Sequence, residues 1–188
     1  VNMAALGGFL FPSALQGCAI VLHHPLDPAL FLRQLQDEKI TFAIAPPALL
    51  NQLAKTPQMW RQFDFSALRR VGSGSAPLAP WMIETFDREY GVEVVNFYGS
   101  NEGISLFATP ETAPEPQVRA AMFPQPPEDA DIATRVVDPD TGATLSGSGE
   151  RGELLISGAT VFDCYLDYDN SLVFSDDGYF HTGDAGVL

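Results

Sequence analysis

The sequence predicts an α/β fold, a parallel sheet flanked by helices, with a β-rich stretch after it. Two observations carry this. Over residues 1–108, short apolar runs alternate with stretches whose apolar residues recur at helical spacing, the order expected of parallel strands joined by crossover helices. After Thr109 the chain turns acidic and proline-rich, and then to short runs of alternating polarity separated by turn residues, as in antiparallel strands. The expected division is therefore 1–108 for the α/β part and 109–188 for a linker plus a partial β-rich unit. A length of 188 residues allows one domain or one and a fraction, and a hydrophobic content of 46% is enough for a core.

Residues 1–17 are mostly apolar and small and read as a buried helix, with Gly7 and Gly8 allowing close packing. Residues 18–22 read as a short buried strand. His23 and His24 have no Cys or carboxylate partners at metal-ligand spacing, so they read as loop residues. Asp27-Pro28 is a helix start, an N-cap followed by proline at the first helical position. Leu26, Leu30, Phe31 and Leu35 would be its inward face. Residues 40–45 form the next expected strand, ended by Pro46-Pro47. A helix over 48–55 turns Leu49, Leu50 and Leu53 inward, and Trp60, Phe63 and Phe65 anchor the loop beyond it.

A short strand over 68–71 leads into a small-residue loop, Gly72-Ser73-Gly74-Ser75-Ala76-Pro77. Pro80 opens the following helix, with Met82, Ile83, Phe86 and Tyr90 buried and Gly91 past its C-terminus. Residues 92–95 are a buried strand, and 104–108 are one more. Residues 109–131 read as a loop crossing to the second unit. Strands over 132–137 and 152–157 flank the turn Asp138-Pro139-Asp140-Thr141-Gly142.

The net charge of -14, from 24 acidic and 10 basic residues, argues against a nucleic-acid surface and against docking on anionic lipid. The two cysteines, Cys18 and Cys164, lie in apolar contexts and make no disulfide framework, so a reducing, cytoplasmic setting is expected. No run is long enough to span a membrane. The first residue is Val1, so the chain is expected to begin inside a longer protein.

The strand over 92–95 ends abruptly in Asn96-Phe97-Tyr98-Gly99-Ser100-Asn101-Glu102-Gly103. In open α/β sheets the C-terminal ends of the strands are where ligands bind, and these side chains suit a nucleotide. Asn96 can donate and accept at a base edge. Tyr98 offers a flat face for stacking, and Gly99 lets the backbone approach a ligand. Ser100 and Asn101 can bond phosphate oxygens, and Glu102 can hold a hard cation such as Mg2+.

This stretch resembles the Tyr-Gly-x-Thr-Glu motif of the adenylate-forming (AMP-binding) superfamily, which includes acyl-CoA synthetases, peptide-synthetase adenylation domains and luciferases. Further blocks agree in order. Ser73-Gly74-Ser75-Ala76-Pro77-Leu78 resembles the family's upstream Ser-Gly-Ala-Ala-Pro-Leu loop. Gly152-Glu153-Leu154-Leu155-Ile156-Ser157-Gly158 with Tyr165, then His181-Thr182-Gly183-Asp184, resemble the segment that leads to its Thr-Gly-Asp motif. The β-rich tail accordingly resembles the start of the family's small β-barrel subdomain.

The resemblance implies a fatty-acid or aryl acid–CoA ligase using ATP, Mg2+ and CoA. A carboxylate attacks the α-phosphate of ATP, and a thiol then takes the acyl group. It implies nucleotide contacts from Ser75, Ala76, Pro77, Asn96, Phe97, Tyr98, Gly99, Ser100, Asn101 and Asp184, the last holding the ribose. Glu102 would bind Mg2+, with Glu102 and Asn101 in catalytic roles. Asn2, Gly74 and Gly99 would border the acyl group. The partners implied are the acid, ATP and CoA, and a homodimer is compatible with them. Three departures stand out. Asn2 falls where the family has His, Asn101 where it has Thr, and residues 120–124 replace a Gly-x-x-Gly element. The family's phosphate loop would lie before Val1, and its later Arg and catalytic Lys after Leu188. The chain thus reads as the middle of such an enzyme, without turnover by itself. The alternatives are an adenylation domain that loads a carrier protein, and a degenerate nucleotide-binding or interaction module.

Overall fold

The computed structural model describes residues 6–103, 105–127 and 129–188. It divides into two compact units, Val1–Gly99 with Ser105–Pro124, and Ser100–Ile104 with Gln125–Leu188.

The first unit is built on a four-stranded sheet in the order β1-β2-β3-β4. Strands β1 (Phe42–Ile44), β2 (Arg70–Gly74) and β3 (Glu93–Gly99) are parallel, and β4 (Ser105–Ala108) runs antiparallel to β3. Among the described residues six α-helices accompany it: α1 (Phe11–Gln16), α2 (Pro28–Asp37), α3 (Pro47–Lys55), α4 (Pro57–Trp60), α5 (Pro80–Thr85) and α6 (Pro116–Ala121). Each carries proline in its first or second position. These six prolines therefore mark helix starts, where a missing N–H costs nothing, rather than breaks. Asp27 caps α2 as its sequence suggests, its Oδ1 accepting from the Ala29 and Leu30 amides at 2.9 and 3.0 Å. Leu32, Leu49, Leu50, Leu53, Met82, Ile83 and Phe86 pack with Val71 and Val94 into one core. Trp60 closes it, stacked on Tyr90 at 4.4 Å and edge-on to Phe86.

Several expectations change here. The helical segment ending in α1 is not buried: Phe11 is 57% and Leu15 87% exposed. Residues 18–22 form no strand and are exposed. β1 is the sheet edge and pairs only with β2, so no ladder hydrogen bonds tie this run to the sheet. β1 is itself half exposed, with Ala43 inward and Phe42 and Ile44 outward. On α2 the buried side is Leu32 and Leu35, with Leu26 and Leu30 exposed. Cys18 and Cys164 are unpaired and exposed, not apolar core residues.

The most instructive change is at β2, which continues through Gly72-Ser73-Gly74. Small residues suggest a loop, but here they admit a neighbouring strand. A Cβ at Gly72 would fall 2.2 Å from the Phe97 ring, and one at Gly74 would fall 2.3 Å from the Phe97 carbonyl oxygen. Ser73 between them is fully buried, its Oγ donating to the Ala45 carbonyl at 2.8 Å. Residues 109–131 are not only loop either. They contain α6, which packs in the first unit and carries the buried Arg119.

The second unit holds an antiparallel sheet, β5 (Ile132–Val137), β6 (Arg151–Gly158) and β7 (Phe180–Val187), in that order. It is an open three-stranded sheet, with no closed barrel among the described residues. Val136, Val137, Leu155, Ile156 and Phe180 are buried, and since neighbours along a strand point to opposite faces, both sides of this sheet are covered there. Phe162 packs edge-on to Phe180 at 5.1 Å. The turn after β5 forms as its sequence predicts, Asp138 Oδ1 accepting from the amides of Asp140 and Thr141. No helix among the described residues is long and apolar enough to cross a membrane.

Candidate active site

In the first unit, β2 and β3 are adjacent and parallel, with Ser73 opposite Asn96 and Gly74 opposite Phe97. The loop Ser75-Ala76-Pro77 therefore leaves the sheet beside Tyr98, at the C-terminal edge where α/β sheets bind ligands. Ser75 holds a left-handed φ of 65°, uncommon for a residue with a side chain, and turns the chain sharply out of β2. All three loop residues are exposed. A hollow of about 690 Å³, lined by Phe42, Arg70 and Glu93 among others, lies at the opposite edge, where these strands begin. Its Arg70 is committed to Glu93 and Glu111.

Strand alternation sorts the motif. Asn96 and Tyr98 share one face of β3, and Phe97 points to the other. On the first face, Asn96 is 4% exposed, and its Nδ2 donates to the carbonyls of Arg119 and Ala120 at 2.9 and 3.2 Å. Those carbonyls belong to the last turn of α6 and have no partner within the helix. The Asn96 amide thus caps α6, and its oxygen is the atom chemically suited to accept from an exocyclic amine. Tyr98 lies 5.9 Å from the Phe123 ring. Phe97 does not join this pair. Its ring covers Gly72 and meets Phe107 edge-on at 5.3 Å, so its side chain belongs to the sheet face opposite Asn96. Gly74 owes its identity to the Phe97 carbonyl beside it. Gly99, at the exposed end of β3, pairs with Ser105. Asn2 lies outside the described residues.

In the second unit, residues 100–103 form a tight turn closed by the Gly103 amide on the Ser100 carbonyl. Asn101 is exposed on it. The segment after β6 clamps this turn at three points. Thr160 Oγ1 donates to the Gly103 carbonyl at 2.7 Å, the Phe162 amide to the Glu102 carbonyl at 2.9 Å, and Tyr165 Oη to Glu102 Oε1 at 2.8 Å. Gly103 has φ 119°, and a Cβ there would fall 1.9 Å from the Thr160 carbonyl oxygen, so only glycine fits. The Tyr165 hydrogen bond holds the Glu102 carboxyl below the usual carboxylate range, and the same bond raises the Tyr165 phenol. Glu102 is therefore ionised at neutral pH.

Asp184 sits on β7 at an irregularity. Leu155 pairs with His181 and Glu153 with Ala185, so residues 182–184 bulge opposite Leu154. Bulges re-aim side chains next to functional sites. Glu153 pins this one, its Oε1 accepting from the Gly183 amide at 3.0 Å and its Oε2 lying 2.9 Å from His181 Nδ1. Thr182 Oγ1 donates to the Leu154 carbonyl and accepts from the Asp184 amide. Asp184 is exposed on the bulge.

Tyr165 as partner of Glu102 and Arg119 as anchor of α6 are the contacts the sequence did not disclose. The signal for the second was Pro116, a proline at a first helical position in what reads as linker.

A mixed sheet with a polar β3 terminus, followed by an antiparallel sheet, is the architecture of the adenylate-forming enzymes. ATP-bound MatB from Rhodopseudomonas palustris superposes with a TM-score of 0.81 over 100% of this chain and 36% of that one, at 23% identity, a likeness of fold. The sequence profile of the AMP-binding enzyme family matches residues 2–166, and the chain belongs to that family. Luciferin 4-monooxygenase of Luciola mingrelica is 34% identical over 177 residues, covering 90% of this chain and 30% of that protein. Feruloyl-CoA synthase of an Amycolatopsis species is 28% identical over 192 residues, covering 100% of this chain and 37% of that protein. The chain thus spans about a third of the length of these relatives.

Proposed function

We propose that the protein carrying this chain is an ATP-dependent acid–CoA ligase acting on a fatty or aromatic carboxylic acid. The observation that supports it most is the pairing of Asn96 and Tyr98 on one face of β3, beside the loop 75–77, with family membership behind it. In this reading the Asn96 oxygen accepts from the adenine amine, Tyr98 stacks on the base, and Ser75-Ala76-Pro77 forms a wall of the base site. The Asp184 carboxylate takes the two ribose hydroxyls.

The chemistry is a displacement at phosphorus. A carboxylate oxygen of the acid bonds the α-phosphorus of ATP, the bond to the β-phosphate bridging oxygen breaks, and pyrophosphate leaves with its electron pair. CoA thiolate then adds to the acyl carbon, AMP leaves, and the thiol proton goes to solvent. Positioning and charge stabilisation are what the protein contributes. Glu102 fits a Mg2+ ion. It is ionised and it offers oxygen. One carboxylate plus substrate phosphates is the usual setting for Mg2+, which would neutralise phosphate charge.

The relative named feruloyl-CoA synthase supports CoA as acceptor and favours an aromatic acid. The test is product identity. The intact protein with acid, ATP, Mg2+ and CoA is expected to form AMP and acyl-CoA in equal amounts, and ADP as product would contradict the reading.

Asn101 stands where the family has Thr, and its longer amide is the poorer donor to a phosphate oxygen. Asn101→Thr is expected to raise the adenylation rate by up to about fivefold, the equivalent of one neutral hydrogen bond of about 1 kcal/mol. Pyrophosphate-exchange rates check this, and a lower rate in the variant would refute it.

A further inference from the structure

We infer that Arg119, clamped by Asp87, is a positioning residue for base recognition: it fixes the end of α6 against which the Asn96 amide is oriented. The proposal rests on the reading of Asn96 given above.

Arg119 is 1% exposed, although arginine is rarely buried to this degree. Its guanidinium makes four hydrogen bonds in four directions. Nε donates to the Ala113 carbonyl at 2.9 Å and Nη2 to the Pro114 carbonyl at 2.8 Å. Nη1 donates to Asp87 Oδ2 at 2.9 Å and to the Val94 carbonyl at 3.2 Å. Asp87 in turn accepts from the Val94 amide through Oδ1. One side chain therefore ties the chain entering α6 to β3 two residues before Asn96, and to the helical segment before β3. The far side of the same turn of α6 supplies the carbonyls of Arg119 and Ala120 that accept from Asn96 Nδ2.

The consequence is directional. A carboxamide can present oxygen or nitrogen at either end. Two carbonyl acceptors held on one side commit its nitrogen to that side, and so its oxygen to the other. Adenine carries an amine and needs an acceptor, whereas hypoxanthine has a carbonyl at that position and would oppose the Asn96 oxygen. If α6 shifts, the amide loses its orientation, and preference for adenine over hypoxanthine falls. Lysine at position 119 keeps the charge but not the planar fork.

The test measures ATP and ITP as substrates for acid-dependent pyrophosphate exchange by the intact protein. The wild type, Asn96→Ala, Arg119→Lys and Asp87→Asn are compared, each checked for fold by circular dichroism. The expected result is a preference for ATP, set by the KM ratio, that falls about fivefold or more in all three variants, the weight of one oriented hydrogen bond. Preference lost in Asn96→Ala but intact in folded Arg119→Lys and Asp87→Asn would overturn the role of Arg119 alone. Preference intact in Asn96→Ala would overturn the assignment of Asn96 to the base, and the inference with it. Loss of fold in both Arg119→Lys and Asp87→Asn would assign the pair to stability and likewise overturn a positioning role.

Discussion

Glu102→Gln is expected to lower acid-dependent adenylation by the intact protein about 100- to 1000-fold, the usual cost of removing one aligned charge-stabilising group. The substitution is nearly isosteric. A glutamine oxygen can still accept from Tyr165, and the bonds from the Phe162 amide and Thr160 Oγ1 go to backbone carbonyls of the turn and do not involve the Glu102 side chain. The turn should keep its shape, and what is lost is the negative charge that would hold Mg2+ against the phosphates. The effect should fall on turnover more than on ATP affinity, since base and ribose contacts are assigned to Asn96, Tyr98 and Asp184. Initial-rate measurements over a range of Mg2+ concentrations check this. A variant within threefold of the wild type at all of them would remove Glu102 from the mechanism.

Arg119→Met is expected to destabilise the first unit by about 3 kcal/mol, the low end for breaking a buried ion pair, since the Asp87 side chain keeps some solvent contact. Burial already pushes the Asp87 carboxyl up, with the Arg119 charge opposing that rise. Without the guanidinium, that carboxylate keeps only the Val94 amide as a donor. Three backbone carbonyls, at Val94, Ala113 and Pro114, lose a donor at the same time. Urea denaturation followed by the fluorescence of Trp60, which stacks on Tyr90 in the same unit, reads the change. A loss below about 1 kcal/mol would place the pair with ordinary surface salt bridges and contradict the account.

How much of this was legible in the sequence depended on which force set each element. β5 was readable to the residue because a β-branched apolar run is bounded directly by the turn residues Asp138-Pro139-Asp140-Thr141-Gly142. Asp27-Pro28 and Gly91 were readable because capping is local chemistry. The errors came where a distant neighbour decides. Gly72 and Gly74 look like loop until Phe97 is placed beside them. Residues 18–22 are apolar enough for a strand but pair with none and stay exposed. Arg119 sits among prolines and acids, and nothing in that composition announces a side chain buried on four acceptors.

At the candidate site, the loop 75–77 and residues 96–98 are neighbours because they lie at the same end of adjacent parallel strands. The motif did not separate the faces. Period-two alternation puts Phe97 opposite Asn96 and Tyr98, its ring over Gly72 and against Phe107. Tyr165 lies 63 residues from Glu102 in the chain, too far for spacing to reveal the pair.

The central claim is that the protein activates a carboxylic acid by adenylation. Acid-dependent exchange of pyrophosphate into ATP tests it most directly, using the intact protein, a panel of short, medium and long fatty acids with aromatic acids, and Asp184→Ala as control. Exchange with one class of acid, lost in Asp184→Ala, is the result the account predicts, and it would name the substrate class at the same time. Tight ATP binding without exchange for any acid would contradict it, and would leave a nucleotide-binding module with Asn101 as the first residue to restore.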